Sequence, residues 1–108
     1  MTILGIETSC DDTALALIRV RGSTFEIVSQ AISSQTAIHK KWGGGVPNLA
    51  KREHEKNLPK VLRRVLRRGE KIDLVAVTSH PGLEPALWTG INFAKELSQQ
   101  WNVPVLGV

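Results

Sequence analysis

The sequence predicts one α/β domain over residues 1–108, a mixed sheet with elements in the order β-β-β-α-β-α-β. Three observations predict it. An apolar, β-branched run starts at Ile3, and two more strand-like runs follow with short turns between them. After Pro47 the apolar spacing becomes helical. From there strand-like and helical runs alternate, the pattern of parallel strands joined by crossovers.

The first strand begins at Thr2 or Ile3 and gives way to Glu7-Thr8-Ser9-Cys10-Asp11-Asp12-Thr13. Such a turn collects amides and hydroxyls, which suits an anion. Glu7, Asp11 and Asp12 are candidates to hold a metal bound to a phosphate. A solvated hairpin turn is the plainer alternative. Ala14 to Val20 reads as the second strand. Arg21-Gly22-Ser23 is a short turn, so strands one to three form an antiparallel meander. In the third strand Phe25, Ile27 and Ser29 alternate with Glu26, Val28 and Gln30, and the pattern fades near Ser33 to Thr36.

Ala37 to Val46 reads as a loop carrying His39, Trp42 and the run Gly43-Gly44-Gly45. It is a linker or a backbone that approaches a ligand closely. Pro47 opens a helix expected to reach Arg68, with Gly69 as its stop. Leu58, Val61, Leu62, Val65 and Leu66 form its core face. Pro59 should kink or divide it. Lys60, Arg63, Arg64, Arg67 and Arg68 form a basic stripe on the opposite face. The stripe is either a solvated face or a track for RNA phosphates. Ile72 to Ser79 is a central strand ending in the turn His80-Pro81-Gly82-Leu83. A second helix starts at Glu84 or Pro85 and buries Leu87, Gly90, Ile91, Ala94 and Trp101. Gly90 is expected to allow close contact with the sheet. Val103 to Val108 is the fifth strand. The three histidines are too dispersed for a helical two-His metal site, and a lone histidine is expected at a surface or a cap.

Composition narrows the class. An apolar fraction of 42% and a mean hydropathy of −0.08 suit a globular domain. No apolar run approaches the ~20 residues that span a bilayer. The lone Cys10 makes no internal disulfide, so a reducing cytoplasm is expected, with no leader and no membrane. The net charge of +4 permits nucleic-acid binding without demanding it. The last strand-like run has no closing turn or polar tail, so a piece of a longer protein is expected.

Three segments carry a family resemblance. Ile6 to Thr13 resembles an I-E-T-S-C-D-[ED]-T opening. His39 to His54 resembles H-x-x-[YF]-G-G-V-V-P-E-x-A-x-R-x-H. Pro81-Gly82-Leu83 stands where a G-P-G-L follows a strand. Together they resemble the N-terminal region of the TsaD/Gcp family of tRNA threonylcarbamoyladenosine synthase subunits, formerly described as O-sialoglycoprotein endopeptidases. The resemblance covers the whole chain but only the first part of a family member. It implies the N-terminal half-domain of the ribonuclease H-like fold of actin, heat-shock chaperones and sugar kinases. It implies transfer of threonylcarbamoyl from threonylcarbamoyl-AMP to N6 of adenosine 37, in tRNAs reading codons that begin with A. It implies TsaB-like and TsaE-like partners. It also implies one metal ion, iron or zinc, whose ligands lie outside this chain.

By the same resemblance, Thr8, Ser9, Cys10, Asp11 and Asp12 form the phosphate-side loop. Asp11 is the catalytic candidate, as a base toward the adenosine amine or as an orienter of the metal shell. His39, Gly43, Gly44 and His54 border the cleft and the tRNA side. Three positions depart from the family pattern: His80 for Gly, Gly45 for Val and Asn48 for Glu. An amide does not ionise, which argues against an acid or base at Asn48. Two rivals stay open, a TsaB-like scaffold without chemistry and a small-molecule kinase of the same superfamily. The kinase should carry D-x-G-x-[ST], which Glu7 to Asp11 does not match.

Overall fold

The computed structural model describes residues 1–34 and 47–108. The elements are β1 (Thr2–Glu7), β2 (Asp12–Arg21), β3 (Thr24–Ser34), α1 (Pro47–Val65), β4 (Leu74–Val77), α2 (Glu84–Trp101) and β5 (Val105–Gly107). The predicted element order therefore holds. The sheet runs β3-β2-β1-β4-β5. β1 pairs antiparallel with β2, and β2 with β3. β4 pairs parallel with β1 on one side and β5 on the other.

Right-handed crossovers place both helices on the same face of such a sheet. They share one core there: Leu58, Val61 and Val65 of α1 and Ala94 and Leu97 of α2 close over Leu4, Leu15, Leu17 and Val75. Among the described residues no helix covers the other face, and Phe25, Ile27, Ile32 and Leu106 are exposed.

Several boundaries move, each for a local reason. α1 ends at Val65, not Arg68. The Ser29 hydroxyl donates to the Val65 carbonyl at 2.5 Å and closes the last turn. Arg67 and Arg68 therefore lie beyond the helix, in a turn closed by Glu70 N donating to Arg67 O at 3.1 Å. Gly69 there takes φ 79°, a conformation that favours glycine. Pro59 does not divide α1. It is exposed, so the carbonyl it leaves unpaired four residues back is on the solvent side. β2 begins at Asp12, two residues before the expected Ala14.

The alternation of β3 is also broken. Leu17 pairs with Ser29 but Ile18 pairs with Ile27, which leaves Val28 as an extra residue. Val28 packs against the core while Phe25 and Ile27 are exposed. One inserted residue switches the faces of everything before it.

Candidate functional site

β1 and β4 are parallel neighbours, so the turn after each lies at the same edge of the sheet. Ligands of open α/β sheets bind beyond these carboxyl ends. Here the two turns meet. Leu83 N donates to the Ser9 carbonyl at 2.8 Å. A Cβ on Gly82 would overlap that same carbonyl, so the close approach requires glycine.

Thr8 leaves the sheet and turns inward, with no exposed surface. Its hydroxyl donates to the Ala86 carbonyl at 2.7 Å, in the first turn of α2. Gly90 lies against it, and a Cβ there would overlap Thr8 Oγ1. The expected close contact at Gly90 is thus with the end of β1. The Thr8 hydroxyl proton is thus directed at α2, on the inner side of the loop.

Glu7 braces the turn. Oε1 accepts from Ser9 N. Oε2 accepts from the Thr78 hydroxyl at 2.8 Å. Burial pushes its carboxyl up, but the hydrogen bonds from Ser9 and Thr78, and the field of His54, outweigh this and hold it below its ordinary value. The group is an ionised strut between β1 and β4.

His54 departs most from expectation. The resemblance places it at the cleft border, and a lone histidine is expected at a surface or a cap; its ring is wholly buried. Nδ1 lies 2.7 Å from the Thr13 hydroxyl. Nε2 lies 2.8 Å from the Cys10 carbonyl. A carbonyl only accepts, so Nε2 donates. The ring stands behind the turn. A helical signal could have found it: Ala50, His54, Leu58, Val61 and Val65 are all buried and recur at spacings of three and four.

On the outer side, Glu7, Ser9, Cys10, Asp11 and Asp12 line a shallow depression of about 310 Å³. Cys10 and Asp12 are exposed and Asp11 is half-buried. Cys10 Sγ lies 3.7 Å from Asp11 Oδ1. Partial burial, then the Asp11 charge, push the Cys10 thiol up, so it stays protonated near neutral pH. Among the described residues no group of three or more His, Cys, Asp or Glu is set to hold a metal ion. Glu7, Asp11 and Asp12, the acidic candidates, do not form such a group. His39, Gly43 and Gly44 lie outside the described residues.

The basic residues Lys60, Arg63, Arg64, Arg67 and Arg68 are all exposed. They lie toward the other end of the sheet. Glu70, just after them, pairs with Arg19 at 2.6 Å, and Arg19 is the ladder partner of Thr2, the first residue of β1. Arg67 and Arg68, beside Glu70, thus lie one β1 length, roughly 20 Å, from the acidic turn, whereas Lys60 is about 9 Å along α1 from His54.

A family model described as "TsaD: tRNA N6-adenosine threonylcarbamoyltransferase" matches residues 26–108. Among curated proteins, the tRNA N6-adenosine threonylcarbamoyltransferase of Thermosipho melanesiensis is 46% identical, covering 100% of this chain and 33% of its own length. That of Bacillus subtilis is 43% identical, covering 100% of this chain and 32% of its own. The chain thus spans about a third of the length of these relatives. Among solved structures, YeaZ from Pseudomonas aeruginosa superposes with a TM-score of 0.68 at 18% identity, over 99% of this chain and 42% of that one. RuvC of Thermus thermophilus, bound to a Holliday junction substrate, gives 0.61 at 13% identity, over 100% of this chain and 64% of that one. These two share the ribonuclease H-like fold and nothing finer. The match across residues 26–108 and the identity of the relatives give the family: the chain belongs to the TsaD family of tRNA N6-adenosine threonylcarbamoyltransferases.

Proposed function

We propose that this chain is the N-terminal third of a cytoplasmic enzyme that transfers threonylcarbamoyl from threonylcarbamoyl-AMP to N6 of adenosine 37 in tRNAs reading codons that begin with A. The observation that carries the reading is the acidic turn, braced between the ends of β1 and β4 in a chain of this family. In the reaction the N6 amine attacks the threonylcarbamoyl carbonyl. A C–N bond forms, the bond to the AMP phosphate oxygen breaks, and the amine loses a proton. The backbone of Ser9 to Asp12 faces the phosphate side, and Asp11 either takes that proton or orients the groups around the leaving phosphate. A single iron or zinc ion, with ligands elsewhere in the full-length protein, would supply Lewis-acid stabilisation of the developing charge. TsaB-like and TsaE-like proteins are the partners, and the exposed basic stretch at the end of α1 is a contact for tRNA phosphates. A tRNA is long enough to reach from that stretch to the acidic turn.

The test is transfer of labelled threonylcarbamoyl to tRNA transcripts by the full-length protein with its partners. The expected product is a tRNA modified at adenosine 37 only. Turnover with a small-molecule acceptor and none with tRNA would overturn the reading. The 108-residue chain alone is expected to be inactive, because it spans only about a third of the length of its relatives.

A further inference from the structure

We propose that His54 is a positioning residue, a buried strut that sets the backbone of the acidic turn; the inference rests on the proposed transfer only for its effect on turnover. Four observations carry it. The ring has no exposed surface, so it meets neither substrate nor tRNA directly. Both ring nitrogens are engaged, and their partners flank the two turn aspartates: the Cys10 carbonyl immediately before Asp11 and the Thr13 hydroxyl immediately after Asp12. Thr13 is itself wholly buried at an inward-facing register position of β2. His54 lies on α1, the helix packed over β2 and β3, so it ties the turn to the body of the domain rather than to its own neighbours.

The geometry acts as follows. With Cys10 O and Thr13 Oγ1 fixed, the two peptides between them have little freedom, and the directions of Asp11 and Asp12 are set. A displacement of about 1 Å in a catalytic group is worth about 100-fold in rate. His54 therefore acts on turnover through Asp11 without touching the reacting atoms.

The two hydrogen bonds can be separated. In His54→Gln the side-chain amide reaches the place of Nε2 and still donates to the Cys10 carbonyl. In His54→Asn the side chain ends near Nδ1, so it keeps Thr13 and no longer reaches Cys10. Backbone amide exchange over residues 8–13 and turnover are measured in the full-length protein for both variants. Positioning predicts that His54→Asn speeds exchange in the turn at least about tenfold, leaves the rest of the sheet unchanged, and lowers kcat by about 100-fold with KM within a factor of about two. His54→Gln recovers most of both. If His54→Asn does not fold, His54→Leu, which fills the space and donates to neither partner, carries the same test, with selective loosening of the turn expected. Uniform loosening of the whole domain, no loosening, or equal turnover in the Asn and Gln variants overturns the proposal. Selective loosening in a protein whose wild type transfers nothing to tRNA supports the strut and overturns the transfer reading alone.

Discussion

The acidic turn is gripped from several directions, whereas the basic stretch from Lys60 to Arg68 makes no ion pair among the described residues. His54 holds the turn from α1, Leu83 N from the start of α2, Thr78 through Glu7 from β4, and Thr8 is anchored on Ala86. The basic side chains point into water from one end of a helix and the turn beyond it. Both regions are polar and both sit at an end of the sheet. They differ in what fixes them: fixed donors and acceptors suit chemistry that needs aligned groups, while free cations suit a polyanion met by charge.

The largest effect that sharpens this contrast should come from Asp11→Ala in the full-length protein. Loss of a general base or orienter costs about 10²–10⁴-fold in turnover. The side chain leaves a polar turn, so no core cavity forms and the melting temperature should hold. Wild-type turnover in this variant would remove the turn from the mechanism. Next is Gly90→Ala. Its methyl group would overlap Thr8 Oγ1, and overpacking of this kind costs about 1–3 kcal/mol. Chemical denaturation should show that loss. A variant as stable as wild type would mean that Thr8 is not held as tightly as the contrast requires.

Replacing Arg63, Arg64 and Arg67 together by Gln tests the other side. Helix propensity is kept at Arg63 and Arg64, Arg67 lies in the turn beyond, and all three heads are in water, so stability should stay within about 0.5 kcal/mol. Affinity for tRNA should fall, and the slope of log affinity against log salt should become shallower by about one for each phosphate no longer neutralised. Unchanged affinity and slope would make the stretch a solvated face.

The smallest effect concerns Glu7. Its folded carboxyl is held below its ordinary value, near 4.5, so the ionised group stabilises the fold above that value. This contribution is lost as pH falls through the lower folded value. Thermal melts of wild type and Glu7→Gln should therefore differ most near neutral pH and converge in acid. A gap that widens in acid would mean that Glu7 is not the ionised strut described here.

How much of the site is legible in the sequence follows from which interactions are local. The acidic turn can be read because its residues are contiguous and follow an apolar run. Its partners cannot, since Thr78, Leu83 and Ala86 lie some seventy or more residues further along the chain. Residue type alone misplaces His54, although its helical spacing already puts it on the buried stripe. The bulge at Val28 leaves no mark in the sequence alternation, so the exposure of Phe25 and Ile27 is set only by the pairing with β2.

By itself the sequence determined the order of elements, the core stripe of α1 and the placing of the acidic turn after β1. Periodicity and turn chemistry are properties of neighbouring residues, so they survive without a fold. Only the tertiary structure decided that Thr8 serves α2, that Glu7 bridges two strands, and that a buried histidine stands behind Cys10 and Thr13. Those facts depend on β4 lying parallel beside β1 and on both helices sharing one face. Long-range pairing brings such groups within hydrogen-bonding distance, and a buried polar group must find its partner wherever the packing places one.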